Sequence, residues 1–319
     1  MLPAMTRSII ALPLSLLFVL APAVVATAQD ARITPVFSRQ ETYPSPSPDG
    51  RYLTYASNAS GKLNLYRLDL RTRDIVRLTD GDFEDSAASW SPDGGKIVFQ
   101  REDERGQRDL WEIRADGSGA RNLTNTLDVD EQHPRYAAGG ANIFFDSNAA
   151  EAPEARRSDR TANFEIYSLS LKDNSTARIT DWKGWDMYAS PSPDGERIVW
   201  RRALPGATSE QQNFEIFVKE LGTGRETNIS DHLSQDTNPN WSPKGDWIVF
   251  VSNREGSSDL YLVRPDGTGL RRIAAGVPRV LGYARPVFAT DGSKVFANRA
   301  VGGVTDIVVI DVSLDISLE

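Results

Sequence analysis

The chain has 319 residues, 36 Lys and Arg against 44 Asp and Glu, two histidines and no cysteine. A net charge of −8 argues against nucleic acid or an anionic membrane as partner. The lack of cysteine excludes disulfide staples and thiol chemistry, so the fold must be held by buried surface alone.

Residues 1–28 read as a secretory signal peptide. Arg7 precedes an apolar stretch over residues 9–25, interrupted by Pro13 and Pro22, and Ala26-Thr27-Ala28 gives a small-x-small cleavage site. The stretch is too short and too broken for a bilayer span. Removing it takes away Arg7 and no acid, leaving 35 basic against 44 acidic residues, net −9. No second apolar stretch could span a membrane. Residues 29–319 are therefore expected to form one soluble, monomeric domain in the periplasm.

Arg32-Ile33-Thr34 opens that domain, and the same pattern returns as Arg77-Leu78-Thr79, Asn122-Leu123-Thr124, Arg178-Ile179-Thr180, Asn228-Ile229-Ser230 and Arg272-Ile273-Ala274. Between these stand three further repeated pieces. The first is a turn, Pro46-Ser47-Pro48-Asp49-Gly50, repeated at Trp90, Pro191 and Trp241 and worn at Tyr136 and Phe288. Proline presets φ, aspartate bonds its own backbone and glycine takes the left-handed position, so each copy reads as a hairpin turn. The second is a nearly continuous apolar run, such as Tyr52-Leu53-Thr54-Tyr55 or Trp247-Ile248-Val249-Phe250, as in a strand covered on both faces. The third opens on a polar residue: Asn64-Leu65-Tyr66, Asp109-Leu110-Trp111, Glu165-Ile166-Tyr167, Glu215-Ile216-Phe217, Asp259-Leu260-Tyr261 and Asp306-Ile307-Val308.

Six copies at a period of about 48 residues predict an all-β, six-bladed propeller. Calling the strands of a blade a to d from the channel outward, the sixth copy ends near Val312 without a d strand. Residues 31–36 are expected to supply it and close the ring. In such a blade the b–c and d–a connections share one face. The b–c loops of blades 3 and 4 (residues 148–163 and 201–213) are the longest and are expected to form a binding rim there.

Nine residues before each turn glycine stand Glu41, Asp85, Glu131, Asp186, Asp236 and Tyr283. Two residues later come Tyr43, Ala87, His133, Tyr188, Asn238 and Arg285, on the same side of an extended chain. Symmetry gathers both sets at the mouth of the central channel. Two roles are open to the acids: holding the N–H groups of their own loop, or facing the channel to attract a basic partner. The partner-binding residues expected are Glu41, Tyr43, Asp85, Glu131, His133, Asp186, Tyr188, Asp236, Tyr283 and Arg285.

These turns, the acid before them, and the Asp-Leu-Tyr and Arg-Leu-Thr strands resemble the repeats of TolB-type propellers over residues 31–313. The resemblance implies a six-bladed propeller in the periplasm whose face binds an envelope protein, as TolB binds the peptidoglycan-associated lipoprotein. Because Gln29 leads directly into the closing strand, no counterpart of TolB's N-terminal α/β domain or TolA-binding segment is expected.

The expected role is non-enzymatic and needs no cofactor. There is no Gly-x-Ser-x-Gly elbow and no cysteine nucleophile. The alternative is a polysaccharide-degrading lyase or hydrolase working at the acidic mouth. TolB-like pectin-fragment lyases carry a histidine-rich metal site, whereas this chain has only His133 and His232. A metal site from Glu131, His133 and Asp186 is one arrangement to examine. A Ca2+ site among Asp80, Asp82, Glu84 and Asp85, or among Asp128, Asp130 and Glu131, is another.

Overall fold

The computed structural model describes residues 33–35, 41–153, 163–204, 213–277 and 281–312. The expected signal peptide and the centres of the two long b–c loops lie outside the described residues. Among the described residues, twenty-four strands, β1 to β24 in chain order, form six four-stranded antiparallel sheets. Blade 1 is β2 (Glu41–Pro46), β3 (Tyr52–Ser57), β4 (Asn64–Asp69) and β5 (Ile75–Arg77). The inner strands of the other blades are β6 (Glu84–Trp90), β10 (Glu131–Tyr136), β14 (Asp186–Pro191), β18 (Asp236–Trp241) and β22 (Leu281–Phe288).

The ring closes as the repeat register requires. β1 (Ile33–Pro35) pairs antiparallel with β24 (Val304–Asp311), through Ile33 with Ile310, Thr34 with Val309 and Pro35 with Val308. The first described strand thus completes the last sheet, in the order β1-β24-β23-β22, with β23 spanning Lys294–Val301. No blade is left with its third strand as a bare edge.

The a–b turn behaves as its residues dictate. Gly50 sits at φ 69°, and its N–H donates to the Ser47 carbonyl at 2.9 Å. Asp49 accepts from the Arg51 N–H at 3.0 Å and from the Ser47 hydroxyl at 2.6 Å. Ser47 Oγ in turn accepts the Tyr52 N–H at 2.8 Å, so the serine clamps both strands of the hairpin.

In blades 1 to 4 the outer strand ends earlier than the Arg-Leu-Thr pattern suggests: β5 stops at Arg77. Leu78 and Thr79 form its exit. The Leu78 N–H reaches the Leu65 carbonyl at 2.8 Å, and Thr79 Oγ1 accepts the Leu65 N–H at 2.9 Å. Thr124, Thr180 and Ser230 do the same for Leu110, Ile166 and Ile216. The repeated hydroxyl is a clasp that ends the outer strand and turns the chain inward.

The core lies between blades, because each b and c strand presents both faces to a neighbour. Leu65 and Leu78 of blade 1 pack with Trp90, Ile97 and Phe99 of blade 2. Leu53, Tyr55 and Leu68 pack the other way, against Phe296 and Ile307 of blade 6. This two-sided burial is why the b strands read as unbroken apolar runs.

Candidate functional site: the channel and its loop face

Each inner strand carries a β-bulge directly after the position that is acidic in five blades and Tyr283 in the sixth. The a–b register shifts between Thr42 and Ser45, Ser86 and Ser89, Gln132 and Arg135, Met187 and Ser190, Thr237 and Asn240, and Ala284 and Val287. The bulged residues are Tyr43, Ala87, His133, Tyr188, Asn238 and Arg285, with φ of 56°, 53°, 50°, 61°, 52° and 49°. Left-handed backbone at a residue other than glycine costs about 1 kcal/mol or more, so six equivalent cases mark a built feature. Three of the freed N–H groups are bonded by the preceding blade. Tyr43 N–H donates to Asn298 Oδ1 at 3.2 Å, His133 N–H to Gln100 Oε1 at 3.0 Å, and Tyr188 N–H to Asp146 Oδ1 at 3.0 Å.

The bulge separates two sets of residues that an extended strand would place on one side. Tyr43, His133, Tyr188, Asn238 and Arg285 line the cavity at the channel axis, together with Arg135 and Asn240. The acids turn away from it into the protein. Asp85 takes two bonds from Arg101 at 2.7 and 2.8 Å, and Asp186 two from Arg202 at 2.9 and 2.7 Å. Asp236 holds Arg254 at 2.9 Å and the Ser234 hydroxyl at 2.8 Å. All three acids are fully buried. Glu131, whose b-strand neighbour is Ser147 rather than arginine, accepts from Thr124 Oγ1 at 3.0 Å, and burial pushes its carboxyl up to about 8. Glu41 and Tyr283 are likewise buried.

Of the two roles left open for the acids, the structure supports the structural one and corrects the channel-facing one: Asp85, Asp186 and Asp236 brace blades and loops. The physical reason lies in the partners. Arg101 and Arg202 stand at the ends of their b strands and Arg254 just past one, beside the acids, and they stack on Trp111, Phe217 and Tyr261 at 4.5, 4.7 and 4.9 Å. An arginine sixteen or eighteen residues after the acid was the sequence signal that could have revealed them. The polar residues opening the c strands have a matching task. Glu165 accepts the Trp182 N–H at 2.7 Å, Glu215 the His232 N–H at 3.0 Å and Asp259 the Gly276 N–H at 2.8 Å, each pinning a d–a loop.

At the waist of the channel, His133 Nδ1 lies 2.7 Å from Asp146 Oδ2, with Asp146 fully buried. Burial lowers the His133 pKa in spite of that carboxylate, and Arg285 and Arg135 lower it further. The neutral ring donates from Nδ1 and keeps Nε2 as an acceptor. Its face packs on Tyr188 with centroids 4.1 Å apart. Arg285 lies 3.8 Å over the Tyr43 ring and donates to its hydroxyl at 2.7 Å. Arg201 is sandwiched between Tyr188 and Phe214 at 4.7 and 4.2 Å.

Glu131, His133 and Asp186 are not brought together, since each is held by a different partner. Among the described residues no three His, Asp or Glu side chains converge in a way that could hold a metal ion. In the two acidic loops, Asp85 is taken by Arg101, Glu84 by the Leu63 N–H at 2.7 Å, and Asp130 by Arg108 at 2.9 Å. His232 is exposed.

The d–a loops carry one feature that the sequence reading passed over. Phe83, Leu127, Leu233 and Val277, from four of these loops, expose their side chains, with Leu127 at 78% and Leu233 at 90%. They share the face on which the inner strands begin.

The TolB beta propeller domain model matches residues 23–156 and 201–317. The Tol-Pal system protein TolB of Francisella tularensis subsp. mediasiatica is 27% identical over 226 residues, covering 70% of this chain and 48% of that protein. The chain thus spans about half the length of the curated relatives it matches. Among solved structures, TolB from Acinetobacter baumannii superposes with a TM-score of 0.64 at 19% identity, covering 79% of this chain and 57% of the other. An oligogalacturonate lyase from Vibrio parahaemolyticus gives 0.58 at 14% identity, covering 88% and 93%. Those two likenesses bear on the fold alone. On the family match, which takes in most of the chain, the protein belongs to the TolB beta propeller domain family.

Proposed function

We propose that this protein is an exported, periplasmic binding module, monomeric and without cofactor, that docks an envelope protein on the d–a loop face. The observation that carries this reading is the set of exposed apolar tips, Phe83, Leu127, Leu233 and Val277, around the channel mouth. Apolar side chains on a rigid, otherwise polar face are the usual mark of a protein contact. Family membership supports the envelope setting, and the Francisella relative is named for the Tol-Pal system. The argument for a basic partner falls away, because the carboxylates behind it are buried in pairs.

The test is a pull-down from periplasmic extract. The wild type and Leu270→Asp, a change at the c–d end of blade 5, should retain the same protein, and Leu127→Asp with Leu233→Asp should lose it. Equal capture by all three would place the contact elsewhere. The His133–Asp146 pair favours a second reading, a base for lyase or hydrolase chemistry in the channel. Turnover on uronides that disappears in His133→Ala would establish that reading.

A further inference from the structure

The charge at the channel waist does not balance. Arg135 and Arg201 lie near Asp146, whose carboxylate already receives His133 and the Tyr188 N–H, and Arg285 adjoins Arg135 and His133. Among the described residues no carboxylate lies within ion-pair distance of any of the three guanidiniums. Arg101, Arg202 and Arg254, by contrast, each hold one. With His133 neutral, the waist carries two positive charges in excess. Arg135 contributes one bond to the Ala88 carbonyl at 3.1 Å, while the Nε atoms of Arg201 and Arg285 are buried without a hydrogen-bond partner. Burial lowers the Arg135 and Arg201 pKa values, which reports the same unrelieved cost.

From this geometry we infer that the waist is a binding site for a single carboxylate group, held between Arg135 and Arg285 with Arg201 adding to the field from beneath Tyr188. Two guanidinium forks suit a planar, two-oxygen anion. The cavity volume there is about 30 Å³, enough for a small group such as a carboxylate. The aromatic rings of Tyr43 and Tyr188 fix the positions of Arg285 and Arg201, which preorganises that side of the site. The inference concerns the channel itself and stands or falls independently of the loop contact proposed above. The carboxylate has two sources, a free small acid or an acidic side chain of the docked protein.

Malonate, titrated calorimetrically at constant ionic strength, is the probe. The wild type should bind it saturably with a Kd of about 1 mM or tighter. Arg135→Gln with Arg285→Gln should bind at least about tenfold more weakly, as should Arg285→Lys, which keeps the charge and removes the fork. Arg285→Lys serves alone if the double variant does not fold. No saturable binding by the wild type, or unchanged affinity in Arg285→Lys, overturns the inference. Adding malonate to the pull-down separates the sources: release of the captured protein means that its side chain fills the site, and retention means a free acid does. Loss of the loop contact with malonate binding intact would sink only the docking reading.

Discussion

Asp186→Asn is the sharpest test of what the acidic positions do. The carboxylate is fully buried and takes two bonds from Arg202, itself 5% exposed. Burial disfavours the Arg202 charge, but its bonds to Asp186 and Glu226 outweigh that and hold its pKa above the usual value. Asparagine leaves the guanidinium short of one anion in a site closed by Trp182, Trp200 and Phe217. Breaking a buried pair from one side costs about 3–5 kcal/mol. Glu226 still reaches Arg202 at 2.7 Å, which puts the loss near the lower end of that range. For a domain of this size about 3 kcal/mol is a drop of roughly 6–10 °C in Tm. Differential scanning calorimetry, with urea midpoints to check that the m-value is unchanged, measures it. The double replacement Asp186→Leu with Arg202→Met should recover most of the loss, because an apolar pair of similar volume removes both desolvation costs. A single variant that melts within about 1 °C of wild type would refute the bracing role and return the acid to the channel.

Deleting residues 29–37 should destabilise the domain by several kcal/mol, since β24 loses its pairing at Val308, Val309 and Ile310, and an unchanged melting temperature would refute closure. Glu131 and Glu215 should make stability fall as pH rises from about 4.5 to about 8, against the opposite trend of His133, whose lowered pKa adds stability as pH rises through 6.5. Burial raises the Glu131 and Glu215 carboxyls to about 8 and about 7, so the folded protein holds protons that the unfolded chain releases. The stabilisation is complete below the unfolded value of 4.5 and gone above the folded ones, and Glu131→Gln should flatten the slope of urea midpoints across that window. The purified protein should show no turnover on esters, peptides or uronides, and activity abolished by His133→Ala is the contrary result.

The sequence alone determined the architecture, because the signals for it are local and repeated six times. Pro-Asp-Gly fixes the turn at Gly50, a doubly covered strand must be apolar throughout, as at residues 247–250, and an unmatched outer strand at residues 33–35 must find the unpaired last sheet. It also placed Tyr43, His133, Tyr188 and Arg285 at the channel, since counting from the turn glycine carries the register. What it could not determine was which way each side chain faces. Alternation assigns residues two apart to one side, and the left-handed bulge at each inner strand breaks that rule. Only the tertiary structure brings Arg202 to Asp186 across a hairpin, sinks the acids, and leaves Arg135, Arg201 and Arg285 around the waist. The sign of the channel is thus set by packing, because a charge acts on a ligand only where nothing in the fold has already paired it.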